Sequence, residues 1–420
     1  MSAAYLNNGS LSFEVVLHLL SFCDLHSVVH LRLTSKSLFA DTSDASLWKR
    51  LLLTEIPNCR ALWRIPKEHA YSILRRWFLH EFNVTTYSNI SCGIKSRYLH
   101  RAVTLSDGRV FIFSGAKCRN DMHLENYNDM WELCLHTNSI LRKDLLGLSP
   151  HGRCASAMAS IGDKIFIFGG LSSQGFSNDF WCFDTSTNQW TPLPPSQGLV
   201  PPPRWGHTLV AYGNTLVVYA GSNMEAVLDD IWVVDVSMLP MVHWKPLRFA
   251  THHHPIGRSG HSVTVNRNMM YVYGGNTHGS TLNDFWRLNL DDISGGALRC
   301  QEIIQNNTPR GRIGAAMFTI GNKIFMFGGR DKMISEFLTG FFVFDTISDS
   351  WRCLHLDDSL IQPRTGHCAF ATPTGICFFG GYLGGFSGQG SVVTNQFVFL
   401  DIFGRGSYKP IAKPSTVFVS

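Results

Sequence analysis

Six glycines, Gly115, Gly170, Gly221, Gly275, Gly329 and Gly381, each end a short apolar run and follow one another at intervals of 55, 51, 54, 54 and 52 residues. This recurrence constrains the fold more than any single motif, because each unit must be one supersecondary structure that buries its apolar face against the next. In five units an arginine stands 17 residues before the glycine: Arg153, Arg204, Arg258, Arg312 and Arg364. In the first, Arg97 stands 18 before it, with the extra residue falling near "SDG". Downstream, "NDMWEL", "NDFWCF", "DDIWVV", "NDFWRL", "GFFVF" and "NQFVF" place Trp131, Trp181, Trp232, Trp286, Phe342 and Phe397 at equivalent points. Trp190, Trp244 and Trp351 close three of the units.

The run before each glycine, as in "KIFIFGG", "TLVVYAG" and "KIFMFGG", is apolar on consecutive residues, which fits a strand covered on both faces. A smaller run precedes it, the aromatic element follows, and the closing tryptophan marks a fourth strand. Four strands per unit, six times over, predicts sheets arranged radially around a channel, a six-bladed β-propeller spanning residues 97–412 with a tail over 413–420. "NVTTYSNI", Asn83–Ile90, has strand composition and could supply the outer strand of the last blade; "GSYKPIA" near the C-terminus competes for that place.

A chain of 420 residues that is 45% hydrophobic can bury a sizeable core and suits two domains. Its net charge of +5 is mild. Residues 1–96 carry 10 Lys and Arg against 7 Asp and Glu, leaving 26 against 24 for the rest, so no nucleic-acid partner is expected. The 11 cysteines include no Cys-x-x-Cys pair, and several, such as Cys182 and Cys377, sit in strand-like runs. They read as reduced core residues of an intracellular protein, cytoplasmic or nuclear. The stretch around "VVLHLL" is too short to span a bilayer, so neither a signal peptide nor a membrane partner is expected.

A double glycine after an apolar strand, with spaced aromatics downstream, resembles the kelch repeat, and the resemblance runs from Arg97 to about Ile402. Ser114 and Ala220 replace the first glycine in units one and three, and Gly340 stands where other units have aspartate. In kelch propellers the loops at one channel mouth grip the partner, so the resemblance implies a basic ring there. Arg153, Arg204, Arg258, Arg312 and Arg364 are the candidate substrate-binding residues, suited to an acidic or phosphorylated peptide. The competing reading has each arginine tie down a neighbouring carbonyl or carboxylate. Histidines recur three residues after the arginine, at His100, His207, His261 and His367. Spread over different blades, they cannot meet the close ligand distances of a zinc site, and no metal or other cofactor is expected.

The N-terminal 54 residues show helical spacing, with Val15, Val16, Leu19 and Leu20 on one stripe and Val28, Val29, Leu31 and Leu33 following Asp24. The order Leu11, Leu19–Leu20, Asp24–Leu25, Leu31, Leu33, Lys36 and Leu47–Trp48 resembles an F-box, here over residues 8–54, with Ser12 and Thr34 departing from the usual proline and valine. By that resemblance Leu11, Val15, Leu19, Leu20, Leu25, Leu31, Leu33, Leu47 and Trp48 would dock a Skp adaptor. Between the modules, residues 55–96 hold "PKEHAYSILRRWFLHEF", whose apolar residues recur at helical spacing as in a linker helix.

An F-box followed by kelch repeats resembles the substrate receptor of a Skp–cullin–F-box ubiquitin ligase: the adaptor joins it to the cullin, and the propeller holds a target protein near the conjugating enzyme. Such a subunit needs no catalytic residue. Two alternatives stand beside it. One is a metal-dependent propeller enzyme, against which Val233 stands where a Glu-x-x-x-Asp-x-x-x-His run from Glu225 and Asp229 would need histidine. The other is a kelch scaffold outside the ubiquitin pathway.

Overall fold

The computed structural model of the chain describes residues 86–87, 93–120, 123–135, 139–195, 198–354, 361–372, 375–384 and 392–401. The chain divides into two compact units, one of Met1–Val84 with Asp401–Gly406 and one of Thr85–Leu400 with Ser407–Ser420. The F-box pattern, the linker-helix pattern and "GSYKPIA" lie outside the described residues, and with them the adaptor-binding expectation for Leu11 through Trp48.

The described part of the second unit is nearly all β, a β-propeller, its one described helix being the 3-10 turn Leu290–Gly295. Each repeat forms an antiparallel sheet. In the second, Ala157–Ile161, Lys164–Ser172, Gly175–Asp184 and Gln189–Pro192 pair in chain order. The first strand of each sheet lies innermost. These inner strands adjoin one another in a closed order: Arg101–Thr104, Ala157–Ile161, Thr208–Tyr212, Ser262–Asn266, Ala316–Ile320, Cys368–Ala371 and back to Arg101–Thr104. In the last sheet Thr86–Tyr87 pairs antiparallel with Phe397–Asp401, so the N-terminal segment supplies its outer strand.

The continuous apolar runs have a physical cause. Alternate side chains of one strand point to opposite faces, and each face packs on a different neighbouring sheet. Phe111 and Phe113 face Ile165, Ile167 and Trp190 of the second sheet. Val110 and Ile112 of the same strand face Cys377, Phe379 and Phe397 of the last. All four first-sheet residues are fully buried, and each Phe contributes about 1.5 to 3 kcal/mol. Among the described residues no helix is long and apolar enough to cross a membrane. Cys154 and Cys182 are buried free thiols whose pKa burial pushes up to about 11.

Two closed belts of backbone hydrogen bonds join the sheets. In the first, the N–H of Ala155 donates to Leu99, Gly206 to Ala155, Gly260 to Gly206, Gly314 to Gly260, Gly366 to Gly314 and Leu99 to Gly366, over 2.7 to 3.0 Å. All six residues have φ between 49° and 67°, which glycine adopts at no steric cost and Leu99 and Ala155 adopt against it. In the second belt the N–H groups of Gly115, Gly170, Gly221, Gly275, Gly329 and Gly381 donate to the carbonyls of Arg153, Arg204, Arg258, Arg312, Arg364 and Arg97. A Cβ on Gly170 would lie 2.9 Å from the Cys154 carbonyl oxygen, so this close approach requires glycine.

Candidate functional site

The recurrent arginine sits where one sheet is tied to the next: its backbone carbonyl accepts from the preceding unit's glycine while its side chain turns into its own sheet. Arg258 shows the arrangement. Its Nε donates to the Ile256 carbonyl at 3.0 Å, Nη1 to the Gly274 carbonyl at 2.9 Å, and Nη1 and Nη2 to the two oxygens of Asp284 at 2.8 and 2.6 Å. The Trp286 indole N–H donates to the same carboxylate at 2.7 Å. Arg97 with Asp129 and Trp131, Arg153 with Asp179 and Trp181, and Arg204 with Asp230 and Trp232 repeat it.

In units five and six the carboxylate is missing, with Gly340 and Asn395 at its position, and the tryptophan is missing too, with Phe342 and Phe397 in its place. The two changes go together: a buried indole N–H needs the acceptor. Arg312 instead lies 4.9 Å over the Phe342 ring, and Arg364 bonds the Gln362 and Gly380 carbonyls. Burial works against the charge of Arg258, but Asp284 and Tyr219 together outweigh it and raise the pKa. Without a carboxylate, burial lowers Arg312, and takes Arg364 down to about 10. Burial also pushes Asp129 and Asp179 up, and Arg97 and Arg153 outweigh it, holding both carboxyls below their usual range.

The expectation that Arg153, Arg204, Arg258, Arg312 and Arg364 bind substrate is therefore corrected. Their exposure is 0 to 2%, and their side chains donate inside the sheets, all five to carbonyls and Arg153, Arg204 and Arg258 to a carboxylate as well, which is the competing reading. The signal for the pairing was in the sequence as a constant separation of 26 residues from Arg153 to Asp179, Arg204 to Asp230 and Arg258 to Asp284.

The histidines are buried as well. His100 Nε2 lies 3.0 Å from Cys368 Sγ, His207 Nε2 lies 3.1 Å from the Phe168 carbonyl, and His261 Nε2 lies 3.1 Å from Thr208 Oγ1. Burial, then the neighbouring arginines, holds all four well below the ordinary histidine pKa. Among the described residues no three metal-binding side chains converge.

What remains open to a ligand is the channel and its mouth. The loop after each glycine folds back as a hairpin, and its first residue bridges to the residue after an arginine: Tyr98 to Ala116, Cys154 to Leu171, Trp205 to Ser222, Ser259 to Asn276, Ile313 to Arg330 and Thr365 to Tyr382. The result is a crown of six hairpins around one opening, built on the first backbone belt. Variable loops are thereby held on a fixed frame, which is where recognition usually resides. Tyr98 and Tyr382 pack with ring centroids 5.7 Å apart, and Trp205 stacks with Phe176 at 6.2 Å. Arg330 and Lys332 are exposed at the opening, and Met224, Met333 and Ile334 stand out on the hairpins. The cavity behind the opening has a volume of about 560 Å³, and among its described lining residues there is no carboxylate.

A family model described as the KLHDC2/KLHL20/DRC7 Kelch-repeats domain matches residues 75–275 and 192–381. Host cell factor homolog hcf-1 of Caenorhabditis elegans is 27% identical over 66% of this chain and 39% of its own length. Host cell factor 2 of Homo sapiens is 26% identical over 77% of this chain and 43% of its own. Tip elongation aberrant protein 1 of Schizosaccharomyces pombe is 29% identical over 44% of this chain and 16% of its own. The chain thus spans less than half the length of these curated relatives.

Proposed function

The chain belongs to the kelch-repeat family, and from that premise we propose that its repeats form a six-bladed propeller that binds a protein partner at the hairpin crown. The observation that carries this reading is the mouth itself: two exposed cations, an aromatic rim and protruding Met and Ile side chains gathered around one opening lined by no described carboxylate. Aromatic and basic residues of this kind anchor protein interfaces. The favoured partner is a segment carrying apolar anchors and acidic groups.

The finer reading adds the N-terminal pattern. The leucine order from Leu11 to Trp48 supports an F-box that docks a Skp adaptor and, through it, a cullin. In that reading the chain is a non-catalytic receptor whose contribution to ubiquitin transfer is the proximity of the held target. Affinity purification of the full chain separates the two levels. Trp205→Ala combined with Arg330→Glu and Lys332→Glu is expected to lose the partner while keeping any adaptor. Unchanged partner recovery with the triple variant refutes the crown as the docking surface.

A further inference from the structure

One column of the repeat is unlike the rest. Four residues after the arginine the six units carry Arg101, Ala157, Thr208, Ser262, Ala316 and Cys368. Their equivalence is structural, for each pairs with the last aromatic of its second strand: Phe113, Phe168, Tyr219, Tyr273, Phe327 and Phe379. All six line the channel just inside the first backbone belt. Five are small, and the sixth is an arginine reaching into the space they leave.

Arg101 differs from the six structural arginines in where it lies and how it is satisfied: it lines the channel, whereas each of the six turns into its own sheet and donates there to at least two groups. Its one hydrogen bond among the described residues runs from Nη1 to the His100 carbonyl at 3.2 Å, and no described carboxylate pairs with it. Its charge is felt across the channel, adding to burial in lowering the pKa of His100, His207 and His261 on three different sheets. Burial lowers its own pKa as well. Arg330 and Lys332 stand at the opening above it, and no described carboxylate lines the cavity between them and Arg101.

We propose that Arg101 is the anchor of an oxyanion site on the channel axis, taking one carboxylate or phosphate group that enters through the hairpin crown. A partly buried guanidinium with unspent donors suits such a group, because paired N–H donors match two oxygens of one anion and the surrounding protein weakens the competition from water. A neutral ligand would leave the charge uncompensated. This deepens the crown reading by assigning the bound segment an anionic tip, and it is tested without any protein partner, so the two can fail separately.

The test is calorimetric titration of the full chain, in low-chloride buffer, with inorganic phosphate and separately with acetate. The wild type is expected to bind one or the other saturably at one site, and which of them binds distinguishes a phosphoryl from a carboxyl group as the natural ligand. Arg101→Met, which keeps the apolar stem, is expected to lose at least tenfold in affinity. Arg101→Lys, which keeps the charge and loses the fork, should fall between. Absence of saturable binding of both anions to the wild type overturns the proposal, as does binding to Arg101→Lys and Arg101→Met equal to that of the wild type.

Discussion

Replacing Asp284 by alanine tests whether the arginine–aspartate–tryptophan unit holds the sheets together. The substitution removes the acceptor of three hydrogen bonds, two from Arg258 at 2.8 and 2.6 Å and one from Trp286 at 2.7 Å. It leaves a fully buried guanidinium without its counter-charge. Removing one partner of a buried ion pair costs about 3 to 5 kcal/mol, much of it the penalty on the charge left behind. Asp284 is 20% exposed, so water can partly replace it, and the expected loss lies at the low end, about 3 kcal/mol. At about 2 °C per kcal/mol for a domain of this size, the melting temperature should fall by about 6 °C in scanning calorimetry. Adding Arg258→Met should then recover part of the loss, because the stranded charge is gone. A melting temperature for Asp284→Ala within 1 °C of wild type, on an order-of-magnitude expectation of several degrees, refutes the reasoning. So does a double variant less stable than the single one.

Acid should destabilise the propeller through its histidines: buried His100, His207, His261 and His367 stay neutral in the fold, while in the unfolded chain each takes a proton below pH about 6.5. Stability is thus full above that pH and falls by up to about 1.4 kcal/mol per pH unit for each histidine as pH drops below it; an unfolding midpoint unchanged from pH 7.5 to 5.5 contradicts this. Ala220 holds φ at 57°, where four other units have glycine, so Ala220→Gly should stabilise by about 0.5 to 1 kcal/mol in denaturant unfolding, and a loss would show that the methyl group packs well enough to offset its strain. Leu19→Ala with Leu20→Ala removes two apolar anchors of about 1.5 to 3 kcal/mol each if buried against an adaptor, so Skp adaptor co-purification should be lost while the propeller's melting temperature holds; full adaptor recovery ends the F-box reading.

Local chemistry alone determined a good deal of this protein. Apolar runs ended by glycine at a near-constant interval point to repeated strands with both faces covered, because runs as short as Ile165–Phe168, bounded by glycine, are too short for a buried helix. The need for positive φ at Gly170 and Gly206 is likewise written in residue type. Which arginines are held inside a sheet and which one lines the channel was decided only in three dimensions. Arg258 and Arg101 are chemically the same side chain; the sequence shows that one recurs in every repeat and the other does not, but not what either one touches. Arg258 finds Asp284 26 residues away once three strands have folded beside each other. Arg101 finds no carboxylate among the described residues, because those opposite it come from five other sheets, and they meet only when the backbone belts close the ring. The lining of the channel depends on ring closure, a property of all the repeats together, so no one repeat could reveal it.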